Sequence, residues 1–270
     1  MPVTLLSEQG FIDLGDMRLE YRMIGPRPEA APTLVMLHEG LGCVGMWGDF
    51  PDKLQAATGF GVFAYSRMGY GHSSPAPLPR KLDFMHDEAR KILPRLLDAI
   101  GFRRGLLVGH SDGASIAAIY GGSVQDHRVT GLVLMSPHFF VEDITSSSIA
   151  EVRKAYDTTD LRARLGRWHK DGDATVHGWT DVWLNNDFRG WDLIEDLAYI
   201  RVPVLIIQGE DDQYGTMRQV ETAQEECYCP VEVLKLPNTR HVPHREAFQP
   251  TLDAIVDFAR RALEAAKPVS

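Results

Sequence analysis

Residues 109–113, GHSDG, place a serine between two glycines directly after the apolar run 106–108. A G-x-S-x-G pattern between a strand and a helix is typical of a sharp turn that exposes the serine as a nucleophile. The same letters also occur by chance in loops rich in glycine and serine. The apolar run before the turn and the small residues 114–118 after it favour a strand, a turn and a helix over such a loop. We therefore predict that Ser111 is the nucleophile of an acyl-transfer reaction.

A serine nucleophile needs a histidine as general base and an acid that orients the histidine. Asp211 and Asp212 follow a late apolar run, and both are candidates for the acid. Because neighbouring side chains point in different directions, only one of the two can face the histidine. His241 and His244 follow the last apolar run and are the candidates for the base. For each acid, a place in a solvated turn is the alternative to a catalytic role.

These residues are far apart in sequence, so the fold must bring them together. Apolar runs alternate with helical patterns, which is typical of a largely parallel sheet covered by helices. Apolar residues recur at helical spacing between residues 85 and 100, where Pro94 predicts a kink, and again between residues 252 and 263. The predicted fold class is α/β, with an eight-stranded, mostly parallel sheet flanked by helices. Its strands are predicted at residues 11–14, 18–24, 33–37, 61–65, 105–108, 131–135, 202–207 and 231–236.

One interval is much longer than the others. About sixty residues separate the run that ends at Met135 from the run that begins at Val202, which is more than a crossover between strands needs. We predict a helical cap over the carboxyl ends of the strands at residues 139–199, inserted after the sixth strand into a core formed by residues 1–138 and 200–270. Extra packing is the alternative. The interval holds four of the five tryptophans: Trp168, Trp179, Trp183 and Trp191.

The chain resembles the α/β-hydrolase superfamily over nearly its full length, on the GHSDG turn and on the order of serine, acid and histidine. Asp212 lies three residues beyond Gly209, where the superfamily commonly has its acid. His241 is the first histidine of HVPH, which matches the catalytic histidine of an H-x-P-H stretch. The resemblance therefore implies a triad in which Ser111 attacks, His241 transfers the proton, and Asp212 orients the imidazole.

The resemblance also implies an oxyanion hole formed by the backbone N–H groups of Gly40 and Asp112, in the segment 37–42, LHEGLG, and in the GHSDG turn. Such donors contribute on the order of 3 kcal/mol each. Glu39 stands where the superfamily usually has glycine, and a carboxylate facing the oxyanion would oppose catalysis. We predict that Glu39 forms a structural ion pair with Arg67. A catalytic Glu39 is the alternative.

Composition indicates which classes of binding partner and which cellular compartment to expect. The net charge of −9 is spread over interspersed acids and bases, which disfavours nucleic acid and acidic membranes as partners. No apolar stretch approaches the ~18 residues of a membrane span, and the first eight residues do not match a secretory leader. The odd set Cys43, Cys227 and Cys229 predicts reduced thiols and a cytoplasmic location. No second Cys/His pair accompanies Cys227 and Cys229, so no metal is predicted there.

Together these features predict a cofactor-independent serine hydrolase that acts on a small ester, lactone or thioester through an acyl-enzyme. The serine at the nucleophile position, where related dehalogenases and epoxide hydrolases have a carboxylate, favours acyl transfer. Two alternatives stay open at this stage. Similar triads cleave C–C bonds in aromatic-degradation intermediates, and some relatives are ligand receptors with very slow turnover. The sequence does not distinguish a monomer from a homodimer.

Overall fold

The computed structural model describes residues 7–266, so the first six residues of the segment inspected for a leader lie outside it. Eight strands form one sheet. Four have the predicted bounds, while the first begins two residues earlier and the seventh begins after Pro203, which has no N–H to donate to a ladder. The strands are β1 (Gln9–Asp13), β2 (Arg18–Ile24), β3 (Thr33–Leu37), β4 (Gly61–Tyr65), β5 (Gly105–His110), β6 (Val129–Met135), β7 (Val204–Gly209) and β8 (Val231–Leu236).

The sheet has the strand order β1-β2-β4-β3-β5-β6-β7-β8. The ladders of β1 with β2 and of β2 with β4 are antiparallel. The ladders of β3 with β4 and β5 are parallel, and so are those that continue from β5 through β6 and β7 to β8. Every residue of β3 to β7 is buried, because these strands are covered on both faces. The predicted α/β fold with a mostly parallel sheet is confirmed.

Helices cover both faces of the sheet. Along β3, Leu34 and Met36 belong to one buried apolar cluster while Val35 and Leu37 belong to another, because successive side chains of a strand point to opposite faces of the sheet. Just before Pro94 the structure has a π-type turn, Glu88–Ile92, and an α-helix begins at Leu93. The irregularity predicted at Pro94 is therefore a change of helix type. The helices of the core are α1 (Phe50–Thr58), α2 (Phe84–Asp87), α3 (Leu93–Ala99), α4 (Asp112–Ser123), α9 (Met217–Glu226), α10 (Pro243–Glu246) and α11 (Phe248–Ala265), with a 3-10 turn at Val44–Trp47.

The long interval between β6 and β7 is helical. Its two ends meet, because Phe140 and Asp192 form an isolated antiparallel bridge and the Leu193 N–H donates to the Phe139 carbonyl at 2.9 Å. The last helix of the interval packs against α4, whereas the earlier ones lie beyond the bridge. The division at residues 139–199 stays a prediction. The helices are α5 (Asp143–Thr158), α6 (Leu161–Leu165), α7 (Gly172–Trp183) and α8 (Ile194–Tyr199), with a 3-10 turn at Asn186–Gly190.

Candidate active site

Ser111 occupies a strained turn between β5 and α4. Its backbone has φ 53° and ψ −121°, a conformation that costs a non-glycine residue energy and is concentrated at functional sites. The flanking glycines let the turn close. A Cβ at Gly109 would lie 2.3 Å from the Gly113 carbonyl oxygen, and a Cβ at Gly113 would lie 2.1 Å from the Leu37 carbonyl oxygen. The turn is therefore built on the close approach of three backbone segments.

His241 and Asp212 come from the loops that follow β8 and β7, and they form a buried pair. His241 Nδ1 lies 2.9 Å from both Asp212 carboxylate oxygens. Asp212 also accepts hydrogen bonds from the Tyr214 N–H and from Gln208 Nε2, both at 2.8 Å. Burial works to raise the pKa of Asp212, but the His241 ring and the hydrogen bond from the Tyr214 N–H lower it to about 2. The carboxylate is thus ionised and can stabilise an imidazolium at His241.

The structure also separates the alternative candidates. Asp211, the other acid, is exposed. The His244 ring is buried against Trp47 and Phe50, with ring centroids 4.9 and 5.4 Å away, so it belongs to the packing of the core.

A cavity of about 200 Å³ brings Ser111 and His241 together. Within residues 7–266, Ser111 Oγ forms no hydrogen bond to the His241 ring, a contact that often tightens only when substrate binds. His110 Nε2 lies 2.7 Å from the carbonyl oxygen of His241 and must donate to it, which ties the histidine loop to the serine turn. The cavity therefore has the predicted nucleophile, Ser111, and the predicted base, His241, on its wall, and Asp212 lies behind the His241 ring.

Gly40 and Asp112, the predicted oxyanion donors, lie on the loop after β3 and at the first position of α4, and both line the cavity. Neither backbone N–H donates to another group within the described part of the chain. Arg67 fixes the loop that carries Gly40, since its guanidinium donates to the carbonyl oxygens of His38 and Glu39. Two free N–H groups next to Ser111 can bind a developing oxyanion.

The predicted ion pair between Glu39 and Arg67 is wrong. Arg67 donates from Nη1 and Nη2 to backbone carbonyls, and the Glu39 carboxylate turns the other way, with Oε2 3.8 Å from His110 Nδ1. It folds over Gly42, where a Cβ would lie 2.2 Å from Oε2. Burial would raise the pKa of Glu39, but the rings of His110 and His38 hold it below its usual value.

A family model described as "Alpha/beta hydrolase family" matches residues 34–254. The chain belongs to this family. The α/β-hydrolase is 31% identical over 231 residues to a proline iminopeptidase of Lactobacillus acidophilus, a match that covers 71% of this chain and 78% of the relative. Hydrolysis is thus the reaction class that the family and this relative support.

Two solved structures have the same fold at lower identity. A carboxylesterase of Nitrososphaera gargenis is similar with a TM-score of 0.76 and 18% identity, covering 95% of this chain and 100% of that one. The enol-lactonase from Burkholderia xenovorans is similar with a TM-score of 0.70 and 21% identity, covering 92% of this chain and 99% of that one. At these identities the similarity shows the fold of the hydrolase and not its substrate.

The α/β-hydrolase places a second, unexpected acid at its active site: the side chain of Asp112. It is fully buried, and its Oδ2 accepts a hydrogen bond from Trp179 Nε1 at 3.1 Å, while Oδ1 has no hydrogen-bond partner in the described structure. Burial raises the pKa of Asp112 to about 6, although the charge of Arg67 and the Trp179 bond lower it. The sequence motif implies a role only for the backbone N–H of Asp112. The sequence signal for its side chain is an acid among the small residues that begin α4.

We predict that Asp112→Asn stabilises the hydrolase at neutral pH but not at acidic pH. The pKa of Asp112 is raised on folding from 3.8 to about 6, so its favourable protonation is complete below pH 4 and is lost as the pH rises through 6. The variant lacks this loss. Its free energy of unfolding relative to wild type should therefore rise by on the order of 2 kcal/mol between pH 4 and pH 8, measured by urea unfolding. A difference that does not change with pH would contradict the prediction.

The insertion supplies three of the residues that line the cavity. Two indoles of α7 and one aliphatic side chain of α5 line it together with Ser111 and His241, and no lysine or arginine lines it. Sequence reasoning expected tryptophans here but could not say which. Among residues 7–266, no group of three or more His, Cys, Asp or Glu side chains is arranged to hold a metal, and no helix is long and apolar enough to span a membrane. From the insertion, the lining residues are Ile149, Trp179 and Trp183.

Proposed function

We propose that this α/β-hydrolase cleaves a small carboxylic ester, lactone or thioester through the triad Ser111, His241 and Asp212. The observation that carries the proposal is the buried pair of His241 Nδ1 and Asp212 at 2.9 Å, whose imidazole shares one cavity with the strained Ser111. A histidine held in this way presents Nε2 to the cavity as a general base.

In the proposed mechanism, Ser111 Oγ attacks the carbonyl carbon while its proton passes to His241 Nε2. The negative oxygen of the tetrahedral intermediate accepts hydrogen bonds from the backbone N–H groups of Gly40 and Asp112. The intermediate collapses to the acyl-enzyme, and His241 gives the proton to the departing alcohol or thiol. Water then attacks the acyl group, His241 takes the proton of the water, and the acid leaves as Ser111 regains its proton. Neither half-reaction needs a cofactor.

The size and lining of the cavity support a small, largely apolar acyl group. About 200 Å³ is below the 300–1,000 Å³ of sites for drug-sized ligands. The indoles of Trp179 and Trp183 form one wall, and we propose that the insertion at residues 139–199 acts as a cap that selects the substrate. The cytoplasmic location and the small-molecule partner predicted from the sequence are part of the same proposal.

A second candidate function is removal of an amino-terminal residue from a peptide. Two carboxylates other than Asp212, those of Glu39 and Asp112, belong to residues that line the cavity, and no cationic side chain does. A protonated amine next to the reacting carbonyl would be attracted to such a site. The relative from Lactobacillus acidophilus is named as a proline iminopeptidase, which agrees with this candidate.

Turnover of a substrate panel tests the proposal. It contains p-nitrophenyl butyrate, a small lactone, a thioester, proline p-nitroanilide and a vinylogous diketone, each with wild type and Ser111→Ala. We expect repeated turnover of the ester, lactone or thioester that depends on Ser111. Preference for the anilide would support the second candidate and contradict the first. Cleavage of the diketone alone would establish a C–C hydrolase, and a single turnover with retained product would indicate a receptor.

A further inference from the structure

Trp179 contacts both residues that supply the proposed oxyanion donors. Its Nε1 donates to Asp112 Oδ2 at 3.1 Å. The same edge of the indole lies on Gly40, where a Cβ would be 2.2 Å from Nε1 and 2.3 Å from Cε2. One side chain of the insertion is therefore in contact with the two core segments, after β3 and after β5, whose spacing sets the geometry of the oxyanion hole.

The Asp112 carboxylate makes this contact important for catalysis. The backbone N–H of Asp112 would stabilise an oxyanion, whereas the negative charge on the carboxylate of the same residue would oppose it. The indole N–H binds Oδ2 and so fixes the direction of the carboxylate and spreads its charge. Arg67, whose charge acts on Asp112, compensates it further. Without the indole, both the direction and the charge of Asp112 would be less well controlled.

Helix α7 is firmly seated for this role. Thr175 Oγ1, one turn before Trp179, donates to the Gly69 carbonyl of the core at 2.7 Å. Trp179 itself is 6% exposed and belongs to the main hydrophobic cluster of the core. The helix thus holds the indole at a fixed height above Gly40, with little freedom for the ring to move away.

We propose, on the basis of the proposed function, that Trp179 is a positioning residue of the oxyanion hole. Its indole N–H fixes the Asp112 side chain and its ring covers Gly40, so that the insertion completes a hole whose donors belong to the core. In this arrangement Trp179 acts on the transition state through Asp112 and Gly40, in addition to forming part of the cavity wall.

The test compares Trp179→Phe with Trp191→Phe, the same exchange at an indole of the insertion that does not line the cavity. With p-nitrophenyl butyrate, Trp179→Phe should lower kcat about tenfold, the effect of one hydrogen bond to a charged group, and should change KM by less than twofold. A trifluoromethyl ketone adds Ser111 Oγ to its carbonyl and places the resulting oxyanion in the hole. Its Ki should rise by the same factor as kcat falls, and Trp191→Phe should leave kcat, KM and Ki unchanged.

A double-mutant cycle with Asp112→Asn separates this role from general destabilisation. If Trp179 acts through the carboxylate, Trp179→Phe should cost less in the Asp112→Asn background than in wild type, while thermal unfolding shows that all variants are folded. Equal losses in both backgrounds, a change confined to KM, or an unchanged Ki would overturn the proposal.

A labelling experiment distinguishes failure of this inference from failure of the proposed function. A fluorophosphonate forms a P–O bond with Ser111 and releases fluoride as the proton passes to His241, whatever the natural substrate is. If the ester panel fails but Trp179→Phe slows labelling of Ser111 about tenfold relative to Trp191→Phe, the inference stands without the esterase proposal. Equal labelling rates, or no labelling of Ser111 in wild type, would overturn it.

Discussion

Ser111→Ala should abolish nearly all turnover of p-nitrophenyl butyrate, with kcat lower by on the order of 10⁴-fold or more. Alanine removes the hydroxyl that forms the proposed acyl-enzyme, and it leaves the cavity, the His241–Asp212 pair and the two free N–H groups in place. Substrate binding should therefore be retained, which equilibrium binding of a non-hydrolysable amide analogue can measure. The release of p-nitrophenolate at equal concentrations of variant and wild type measures the loss.

Ser123→Ala is the matched control for this variant. Ser123 lies at the opposite end of α4, where its exposed hydroxyl donates to the Ile119 carbonyl at 2.6 Å. The exchange should change stability by less than about 1 kcal/mol, because the higher helix propensity of alanine offsets the lost hydrogen bond, and it should leave kcat unchanged. Wild-type turnover in Ser111→Ala would show that another group attacks the substrate and would refute the triad.

Asp212→Asn has the second largest expected effect, a fall in kcat on the order of 10³- to 10⁴-fold. Asparagine is nearly the same size but has no charge to stabilise the imidazolium, and its amide can donate to Nδ1 and so select the wrong tautomer of His241. The pKa of Asp212 is about 2, so the wild-type carboxylate is ionised at every pH above 4. Steady-state kinetics from pH 5 to pH 9 should therefore show a loss at each pH.

Asp211→Asn provides the control at the neighbouring position. Asp211 is exposed, and its neighbour Asp212 has taken the place beside the histidine. The variant should keep wild-type kinetics within a factor of two. If Asp211→Asn were the inactive one of the pair, the assignment of the acid would be reversed.

The fold could be predicted from the sequence because its elements carry local signals. Strands buried on both faces are continuous apolar runs, and the runs at 33–37, 61–65 and 231–236 coincide with β3, β4 and β8. The end of β5 was less accurate, since His110 is polar and yet lies in the strand. The positions of Ser111 and His241 followed from short motifs, because a strained turn and a loop after the last strand need particular residues.

The direction of long side chains in loops could not be predicted. Glu39 and Arg67 were correctly placed on adjacent loops, but their contact depends on rotamers and on the space that Gly42 leaves for the carboxylate. The bond between Trp179 and Asp112 was also out of reach, since it joins residues 67 positions apart and needs the exact seating of α7. Such contacts depend on tertiary packing, which no local pattern records.

The bridge between Phe140 and Asp192 has a consequence for how this enzyme could diversify. Because the two ends of the segment between them meet at this bridge, its replacement or lengthening in evolution would leave β6, α8 and β7 where they are. Recombination at this junction would exchange the whole insertion, the proposed cap, in one event. A transplanted segment would, however, have to bring a residue that donates a hydrogen bond to the Asp112 carboxylate, as Trp179 does. Without such a donor, the recipient would have a new pocket next to a buried carboxylate that lacks this hydrogen bond.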